Sequence, residues 1–346
     1  MKAAYLVATR KFEIRDTPKP EIKNDKDVLL RLRCSGVCGS DIHNYAEGRT
    51  GSLEVKFPMI LGHECSAVVE KVGKAVKKVK PGDRVAVEPA VTCGECEECI
   101  TGRQNICRNV RFLSVPGELE GCLKEFMVTP ESNLVPVPDE LTFEDAAMLE
   151  PLSVGAYAVN LAGVKPGDTV AVLGSGPIGL LTMEVANVSG AALSFATDIV
   201  KERAEMASKL GATYSFNPNE TDVVEQILDA THGRGVDIVF ECAGEQETVT
   251  QGLDILRPGG KLVLLGIPGA RTEYVLHTDI MRRKELVVLN VRRQVHYFER
   301  GLHLVIAGRV DIRTLVTHRF PLEKTNDAYE LVSTYRDGVV KAIISF

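Results

Sequence analysis

The spacing of apolar residues along the chain changes near residue 153, and the two sides of this point predict different structures. In the first half, apolar stretches are short and alternate with polar residues, as at 28–33 and 83–88. Such alternation is typical of strands that are buried on one face only. Turn-forming residues at 80–83 separate neighbouring stretches. The first half is therefore predicted to be rich in short β-strands.

Beyond residue 153 the apolar runs become continuous, as in strands that are buried on both faces. Helical segments lie between them, and glycines at positions 190 and 211 follow two of these segments. Strands that alternate with helices imply βαβ units and a parallel sheet. The predicted order is strand 169–173, helix 177–189, strand 193–197, helix 201–210 and two further strands, 236–240 and 261–266.

Composition and charge are those of an ordinary soluble globular protein. A chain of 346 residues is long enough for two domains, and 45% of its residues are hydrophobic. The net charge of −6 argues against nucleic acid as a partner. Residues 1–16 match neither a signal peptide nor a membrane span. Nine cysteines without an export signal argue against a disulfide framework, so we expect a cytoplasmic protein.

The sequence GSGPIG at 174–179 matches a dinucleotide-binding turn. It follows a predicted buried strand and opens a predicted helix, which is the context that this motif requires. The first glycine permits a tight turn, the second lets the backbone approach a pyrophosphate, and the third lets helix and strand pack closely. Exposed amides at the start of the helix favour the anionic pyrophosphate. The predicted cofactor-binding residues here are Gly174, Gly176, Pro177, Ile178 and Gly179.

Asp198 ends the next predicted strand, 19 residues after Gly179. Its carboxylate would accept hydrogen bonds from the ribose hydroxyls of adenosine and would repel a 2′-phosphate, which favours NAD over NADP. The alternative role for Asp198 is that of a helix N-cap. Arg203 either lies on the helix surface or contacts the adenosine, and Leu265 and Ile267 are further candidate cofactor contacts.

Four cysteines lie within fifteen residues, in the spacing C-x2-C-x2-C-x7-C. Four thiolates on a short loop can complete a tetrahedral shell around Zn²⁺. Such an ion has no open position, so its predicted role is to stabilise a lobe that lacks regular structure. The spacing also permits an iron–sulfur cluster or four free thiols, and zinc is favoured by a second candidate metal site in the chain. The four residues are Cys93, Cys96, Cys99 and Cys107.

The second set of candidate ligands is dispersed along the first half of the chain. One thiolate, one imidazole and a carboxylate leave a coordination position of zinc open, as catalysis requires. Taken singly, each of these residues is also compatible with a structural role in a core or a polar network. The set comprises Cys38, the neighbouring His63 and Glu64, and Glu150.

Over essentially its whole length the chain resembles the zinc-dependent medium-chain dehydrogenases. The matching segments are GVCGSDIH (36–43), GHE (62–64), the four-cysteine lobe, LEPLSVGAYA (149–158) and GSGPIG (174–179). Within this superfamily the chain is most similar to the polyol group, the sorbitol (L-iditol) dehydrogenases. The segments 47–64, 150–154 and 315–324 support this closer similarity.

The resemblance implies an α/β protein of two domains. A GroES-like, largely β catalytic domain would comprise residues 1–153 and 291–346, with the structural zinc lobe at about 89–110. A doubly wound Rossmann domain would comprise residues 154–290. The resemblance also implies NAD, two zinc ions per subunit, an active site in the cleft between the domains, and a homo-oligomer, often a tetramer.

The resemblance further implies a role for each candidate ligand. Cys38, His63 and Glu64 would bind the catalytic zinc, and the four-cysteine lobe would hold the structural zinc. Glu150 would lie beside the catalytic zinc, either bonding to its water or joining its ligands transiently. The metal would stabilise the alcohol oxygen while hydride passes to nicotinamide. Ser40 and His43 resemble the proton relay of the family, and a structural role is the alternative for His43.

The chain departs from the family pattern at two places where a substrate would be held. Asn44 replaces a substrate-lining tyrosine, and an Arg-Tyr pair reads Arg292–Arg293. Arg292 would bond to substrate hydroxyls or to the cofactor, and Arg293 suits a carboxylated or phosphorylated polyol. A cation at a domain edge and a surface ion pair are the respective alternatives.

The predicted activity is oxidation of a polyol of the sorbitol, xylitol or L-iditol type to a ketose by NAD⁺. Oxidation of L-threonine, an inositol or a sugar acid by the same chemistry is the alternative. A catalytically silent NAD-binding protein is a third reading, and it predicts a broken set of catalytic metal ligands.

Overall fold

The computed structural model describes residues 1–346, which divide into two compact units. The first unit comprises Met1–Glu150, Phe298–Leu302 and Ile312–Phe346. The second unit comprises Pro151–Tyr297 and His303–Asp311. None of the helices combines the length and the apolar character that crossing a membrane requires.

Strands and helices alternate in a way that differs between the two units. The strands are β1 Lys2–Ala8, β2 Lys11–Asp16, β3 Asp27–Gly36, β4 Arg49–Thr50, β5 Leu53–Glu54, β6 Met59–Ile60, β7 Glu64–Val72, β8 Arg84–Val87, β9 Ala90–Val91, β10 Arg111–Phe112, β11 Phe126–Pro130, β12 Leu134–Pro136, β13 Thr169–Leu173, β14 Leu193–Thr197, β15 Tyr214–Phe216, β16 Val236–Glu241, β17 Leu256–Leu264, β18 Val287–Asn290, β19 Val316–Pro321 and β20 Lys341–Ser345. The helices are α1 Gly39–Glu47, α2 Glu97–Ile100, α3 Phe143–Ala162, α4 Pro177–Val188, α5 Lys201–Lys209, α6 Val223–Ala230, α7 Gln246–Ile255, α8 Thr278–Lys284, α9 Phe298–Ile306 and α10 Thr325–Ser333.

The first unit is built around a seven-stranded sheet in the order β12-β8-β7-β3-β20-β19, with β11 also paired to β3. All its pairs are antiparallel except β19 with β20. Its strands alternate buried and exposed positions because one face packs on the core, as the first-half pattern predicted. Aromatic side chains of Phe12, Tyr45 and Tyr329 pack against one another in this unit.

The register of the central strands of this sheet determines which distant residues become neighbours. Gly36 at the end of β3 pairs with Glu64 at the start of β7. On its other side Gly36 pairs with Ile343 of β20. Cys38 follows β3 and His63 precedes β7, so residues 25 positions apart in sequence meet at one end of the sheet.

The second unit contains a six-stranded, all-parallel sheet in the order β15-β14-β13-β16-β17-β18. This is the doubly wound strand order of dinucleotide-binding folds, so the predicted α/β class with a parallel sheet is confirmed. Strands β13 and β14 have the predicted bounds, whereas β17 spans Leu256–Leu264 and begins earlier than its apolar run. Its first residues pair with β16 although they include Pro258 and two glycines.

The carboxyl ends of the central parallel strands lie in register. Leu173 of β13 pairs with Thr197 of β14 on one side and with Glu241 of β16 on the other. Glu241 pairs in turn with Leu264 of β17. The residues that follow these strands therefore lie along one edge of the sheet, which is where ligands bind in open α/β folds.

Candidate active site

The structure brings three of the dispersed candidate ligands together in the first unit. One ligand atom each from Cys38, His63 and Glu64 lies within 4.8 Å of the others. His63 is 5% exposed and Glu64 is 1% exposed, whereas Cys38 is only partly buried at the start of α1. Two buried donors and one accessible thiol form a site with three protein ligands, which leaves a zinc ion an open position.

A buried carboxylate orients the imidazole of His63. Oδ2 of Asp41 lies 3.2 Å from Nδ1 of His63, and Oδ1 of Asp41 accepts a hydrogen bond from the hydroxyl of Ser114. A carboxylate on one ring nitrogen fixes the tautomer and leaves the other nitrogen to a metal. Asp41 was not among the sequence-predicted site residues, although its place in the CGSD motif could have indicated it.

The second buried ligand, Glu64, is held by a lysine from the last strand. Nζ of Lys341 donates to both carboxylate oxygens of Glu64, at 2.7 and 2.9 Å, and to the carbonyl of Val37 at 3.2 Å. A Cβ added at Gly36 would lie 2.0 Å from Oε2 of Glu64, so the carboxylate needs a glycine beside it. Sequence reasoning missed Lys341 because nothing near it in sequence indicates a metal ligand.

The electrostatic field of this site favours a cation. Burial opposes protonation of His63, but the negative charges of Asp41 and Cys38 outweigh burial and raise the pKa of His63 well above its usual value. Glu150 lies buried in α3, and burial raises its pKa to about 7, with Glu64 adding to the effect and His63 opposing it. An electron-rich set that attracts a proton also attracts a divalent metal, so the residues fit zinc.

The residues predicted to relay protons or contact substrate from α1 have different partners. The Ser40 hydroxyl points to Sγ of Cys38 at 3.4 Å, and Nδ1 of His43 lies 3.0 Å from Oε1 of Glu47. Asn44 is only 3% exposed, and its Oδ1 accepts a hydrogen bond of 2.9 Å from the Thr50 hydroxyl. Ser40 therefore lies beside a candidate metal ligand, whereas Asn44 is enclosed by protein.

The four-cysteine lobe brings all its thiols together. The printed Sγ–Sγ distances are 3.9 Å for Cys93–Cys99, 3.8 Å for Cys96–Cys107 and 3.5 Å for Cys107–Cys93. Zinc–sulfur bonds of about 2.3 Å in a tetrahedron place sulfurs about 3.8 Å apart, so the thiols have the spacing of a closed zinc site. The backbone amides of Cys93 and Asn109 donate to Sγ of Cys107, as amides around metal-bound sulfur do.

The thiols of this lobe differ in their acidity. Backbone hydrogen bonds from Glu95 and Cys96 lower the pKa of Cys93 to about 6. Burial, together with hydrogen bonds to Cys96 and Cys107, raises the pKa of Cys99 to about 12. Four crowded thiols cannot all ionise without a cation, and the metal-binding form of cysteine is the thiolate.

In the second unit, the turn after β13 has the geometry that its glycines predict. Gly174 has φ of +101°, which disfavours any side chain, and a Cβ at Gly179 would lie 1.9 Å from the carbonyl oxygen of Gly174. A Cβ at Gly176 would meet only Nη1 of Arg203, at 3.8 Å, so the space beside Gly176 is open. Pro177 and Ile178 begin α4 directly after this turn, as in dinucleotide-binding folds.

Asp198 lies against the same turn. Its Oδ2 accepts a hydrogen bond of 2.9 Å from the amide of Ser175, and its Oδ1 accepts one of 2.8 Å from Val200 at the start of α5. Both roles considered for Asp198 thus involve one carboxylate, because each oxygen keeps a lone pair for a ribose hydroxyl. Arg203 is 8% exposed and is therefore not a surface cation.

The remaining predicted residues of the second unit lie beyond the carboxyl ends of β17 and β18. Leu265 is partly buried, and Ile267 is 43% exposed. Arg292 is exposed, and Arg293 is partly buried with φ of +56°.

Comparison with known proteins agrees with both units. Residues 24–139 match the family described as Alcohol dehydrogenase GroES-like domain, and residues 177–306 match the family described as Zinc-binding dehydrogenase. These two segments include the candidate metal ligands Cys38, His63 and Glu64, the four-cysteine lobe and most of the dinucleotide-binding strands.

Individual relatives extend the match to nearly the whole chain. Sorbitol dehydrogenase of Bacillus subtilis is 38% identical over 99% of this chain and 97% of its own. D-xylulose reductase A of Aspergillus oryzae is 37% identical over 94% of this chain and 92% of its own. The structure of an Escherichia coli oxidoreductase/dehydrogenase of unknown specificity has a TM-score of 0.94 at 31% identity, covering 99% of this chain and 98% of its own. Agreement over both units, with the catalytic and four-cysteine donor sets intact, shows that the chain belongs to the zinc-dependent medium-chain dehydrogenases, in their polyol dehydrogenase group.

Proposed function

We propose that this chain is an NAD- and zinc-dependent enzyme that oxidises a secondary alcohol of a polyol to a ketone, giving a ketose. The convergence of Cys38, His63 and Glu64 within 4.8 Å is the observation that supports this proposal most directly. A complete set of donors argues against a catalytically silent protein, which would need no such set. The names of the sorbitol and xylulose relatives support a polyol as the substrate.

The catalytic zinc would be held by Cys38, His63 and Glu64, with Glu150 nearby, and the structural zinc by the four cysteines. When bound, the catalytic zinc supplies Lewis acidity that makes an alcohol more acidic at neutral pH. Asp41 keeps the imidazole of His63 in one tautomer, and Lys341 keeps the carboxylate of Glu64 in place. These contacts reduce the reorganisation that metal binding requires.

The cofactor would lie along the carboxyl edge of the parallel sheet, at Gly174, Gly176, Pro177, Ile178, Gly179, Asp198, Arg203, Leu265 and Ile267. When bound, nicotinamide supplies the hydride acceptor. The amides at the start of α4 face the pyrophosphate, and Asp198 accepts bonds from the ribose. A carboxylate at this place repels a 2′-phosphate, which supports NAD over NADP.

The proton released from the alcohol would leave through Ser40 and His43. Ser40 lies beside Cys38, and His43 lies one helical turn further along α1, paired with Glu47. The substrate residues that we propose are Asn44, Arg292 and Arg293. Because Asn44 is buried and bonded to Thr50, its effect on substrate would pass through Thr50.

We also propose a cytoplasmic homo-oligomer, and specifically a tetramer. The nine free thiols support a reducing compartment. The resemblance to the polyol dehydrogenases supports the oligomer.

The test is formation of NADH from NAD⁺ with polyols, inositols, sugar acids and L-threonine, before and after chelation of the accessible metal. Turnover of a polyol, lost on chelation and restored by zinc, is expected. Cys38→Ser should lower kcat/KM by about 100-fold or more and remove one zinc per subunit, because a ligand contributes at least as much as the groups that orient it. Cys34→Ser, a buried thiol outside both donor sets, is the matched control.

Other outcomes separate the parts of the proposal. Metal-dependent turnover of threonine, an inositol or a sugar acid would keep the chemistry and replace the substrate. Binding of NADH without metal-dependent turnover of any substrate would contradict the catalytic assignment.

A further inference from the structure

A buried glutamate at the carboxyl edge of the parallel sheet has a set of contacts that the proposed function does not use. Glu241 is the last residue of β16 and is 0% exposed. Its Oε1 accepts three hydrogen bonds of 2.8 to 2.9 Å, from the amides of Ala243 and Gly244 and from the hydroxyl of Thr248. One carboxylate oxygen thus fixes the whole turn between β16 and α7.

The backbone of the same residue fixes a second turn. The carbonyl oxygen of Glu241 accepts hydrogen bonds from the amides of Leu265, at 2.8 Å, and Gly266, at 2.9 Å. Those amides belong to the segment that leaves β17 and that includes the candidate cofactor contacts Leu265 and Ile267. Glu241 therefore joins the two turns that follow neighbouring strands β16 and β17.

The turn that Glu241 fixes also packs directly on the dinucleotide-binding turn. A Cβ added at Gly174 would lie 2.8 Å from the amide nitrogen of Ala243. On the other side, a Cβ added at Gly244 would lie 2.5 Å from the carbonyl oxygen of Ile267. The segment 243–244 is thus sandwiched between the phosphate-binding turn and residue 267, with no side chain to absorb a displacement.

The second oxygen of the carboxyl group faces Gly266. Oε2 of Glu241 is buried without a hydrogen-bond partner and lies 2.5 Å from the position of a Cβ at Gly266. Burial raises the pKa of Glu241, although its three donors oppose the shift. An unsatisfied buried oxygen is costly, so its retention at this place points to a role beyond stability.

We propose that Glu241 is a positioning residue for the nicotinamide dinucleotide, holding three turns of the cofactor site in their binding arrangement before the cofactor arrives. This inference rests on the proposed function, because it takes the NAD site along this edge as given. Turns that are already ordered lose little freedom on binding, and the affinity rises accordingly. The residue acts through backbone groups and makes no contact with the reacting atoms.

The test measures NADH affinity by fluorescence titration of the zinc-loaded enzyme. Glu241→Ala should raise the Kd for NADH about tenfold, with a matching rise in the KM for NAD⁺ and little change in kcat, since only the ordering of the turns is lost. Glu241→Gln should stay within about threefold of wild type, because its amide oxygen still accepts the three hydrogen bonds. This rescue distinguishes the hydrogen bonds from the charge.

Asp237 provides a matched control on the same strand. It is a buried carboxylate at the opposite end of β16, held by Arg234, Arg257 and the amide of Thr169. Asp237→Asn should lower the unfolding temperature and leave the Kd for NADH within about twofold of wild type, because its contacts lie away from the cofactor edge. A structural defect alone would affect both carboxylates alike.

The inference is overturned if Glu241→Ala binds NADH as wild type does, or if Asp237→Asn loses as much affinity as Glu241→Ala. Should Glu241→Ala fail to fold, Thr248→Val removes one donor alone, and an unchanged Kd in that variant would overturn the inference. Wild-type enzyme that does not bind NADH would instead contradict the proposed function itself.

Discussion

Single residues in this protein show how burial without full compensation changes a titration. Glu184 lies in α4 at 7% exposure; its Oε1 accepts a hydrogen bond of 2.9 Å from the amide of Asp311, and its Oε2 is buried without a partner. Burial is the main reason that its pKa rises to about 7, and the charge of Asp311 adds to the shift. The carboxyl is therefore more costly to bury in its ionised form.

The sign of the resulting pH dependence follows from proton binding. Between about 4.5 and about 7 the folded protein binds a proton at Glu184 that the unfolded chain has lost, so stability falls as pH rises through this window. Glu184→Gln removes this cost and should unfold at higher urea than wild type at pH 8, by about 2 kcal/mol, with little difference at pH 5.

Urea denaturation of both proteins at the two pH values measures this difference. Glu202→Gln, on the exposed face of α5, is the control and should behave as wild type at both values. A difference between Glu184→Gln and wild type that is the same at pH 5 and pH 8 would contradict the assignment.

At the scale of elements, the four-cysteine lobe is a segment that regular structure does not hold. Its only α-helix, α2, has four residues, and a short 3-10 turn at Gln104–Ile106 follows it. The ion pairs of Arg108 with Glu97 and Glu98 are exposed and contribute about 1 kcal/mol or less. Bonds to a shared metal ion are therefore the main source of order that the lobe has available.

Cys107→Ser is expected to remove about one zinc per subunit and to make the lobe sensitive to protease, because three thiolates bind zinc far less tightly than four. Metal analysis and limited proteolysis measure the two effects. Cys34→Ser, a buried thiol of β3, should keep both zinc ions and the wild-type digestion pattern. Retention of two zinc ions by Cys107→Ser would refute the role of the lobe as a zinc site.

At the scale of the whole molecule, the last strand completes a site that begins near the amino terminus. Lys341 and Glu64 are 277 residues apart in sequence, yet both side chains are nearly inaccessible, at 2% and 1% exposure. Burial opposes the charge of Lys341, but the carboxylate of Glu64 outweighs it and raises the pKa of Lys341 above its ordinary value. Each charge is tolerated in the interior because of the other.

Lys341→Met should therefore destabilise the protein by about 3 kcal/mol, since it leaves a buried carboxylate without its cation. Adding Glu64→Gln to this variant should recover part of the loss, because the uncompensated charge is then absent. Urea denaturation of the wild type, the single variant and the double variant measures both changes.

Lys324→Met changes an exposed lysine and should have almost no effect. If Lys341→Met were as stable as wild type, the ion pair would have no structural weight, and Glu64 would be held in place by Gly36 and its strand alone.

Much of the fold and of the site could be predicted because its signals are local. Continuous apolar runs predicted β13, β14 and β16, and the glycine spacing at 174–179 predicted a turn whose φ and close contacts the structure shows. The cysteine spacing predicted one cluster because all four thiols lie on one short loop. The metal and substrate roles of these residues stay predictions.

The sequence by itself determined the elements with a short repeat and the residue types able to bind zinc and a dinucleotide, because spacing and side-chain chemistry act over a few residues. Only the tertiary structure decided which of these residues meet. Strand register placed Glu64 beside Gly36 and brought Lys341 to it, packing set Asp41 against His63, and sheet order placed Glu241 between two turns. Such contacts join residues that are tens to hundreds of positions apart, and their energies depend on burial, which no local pattern encodes.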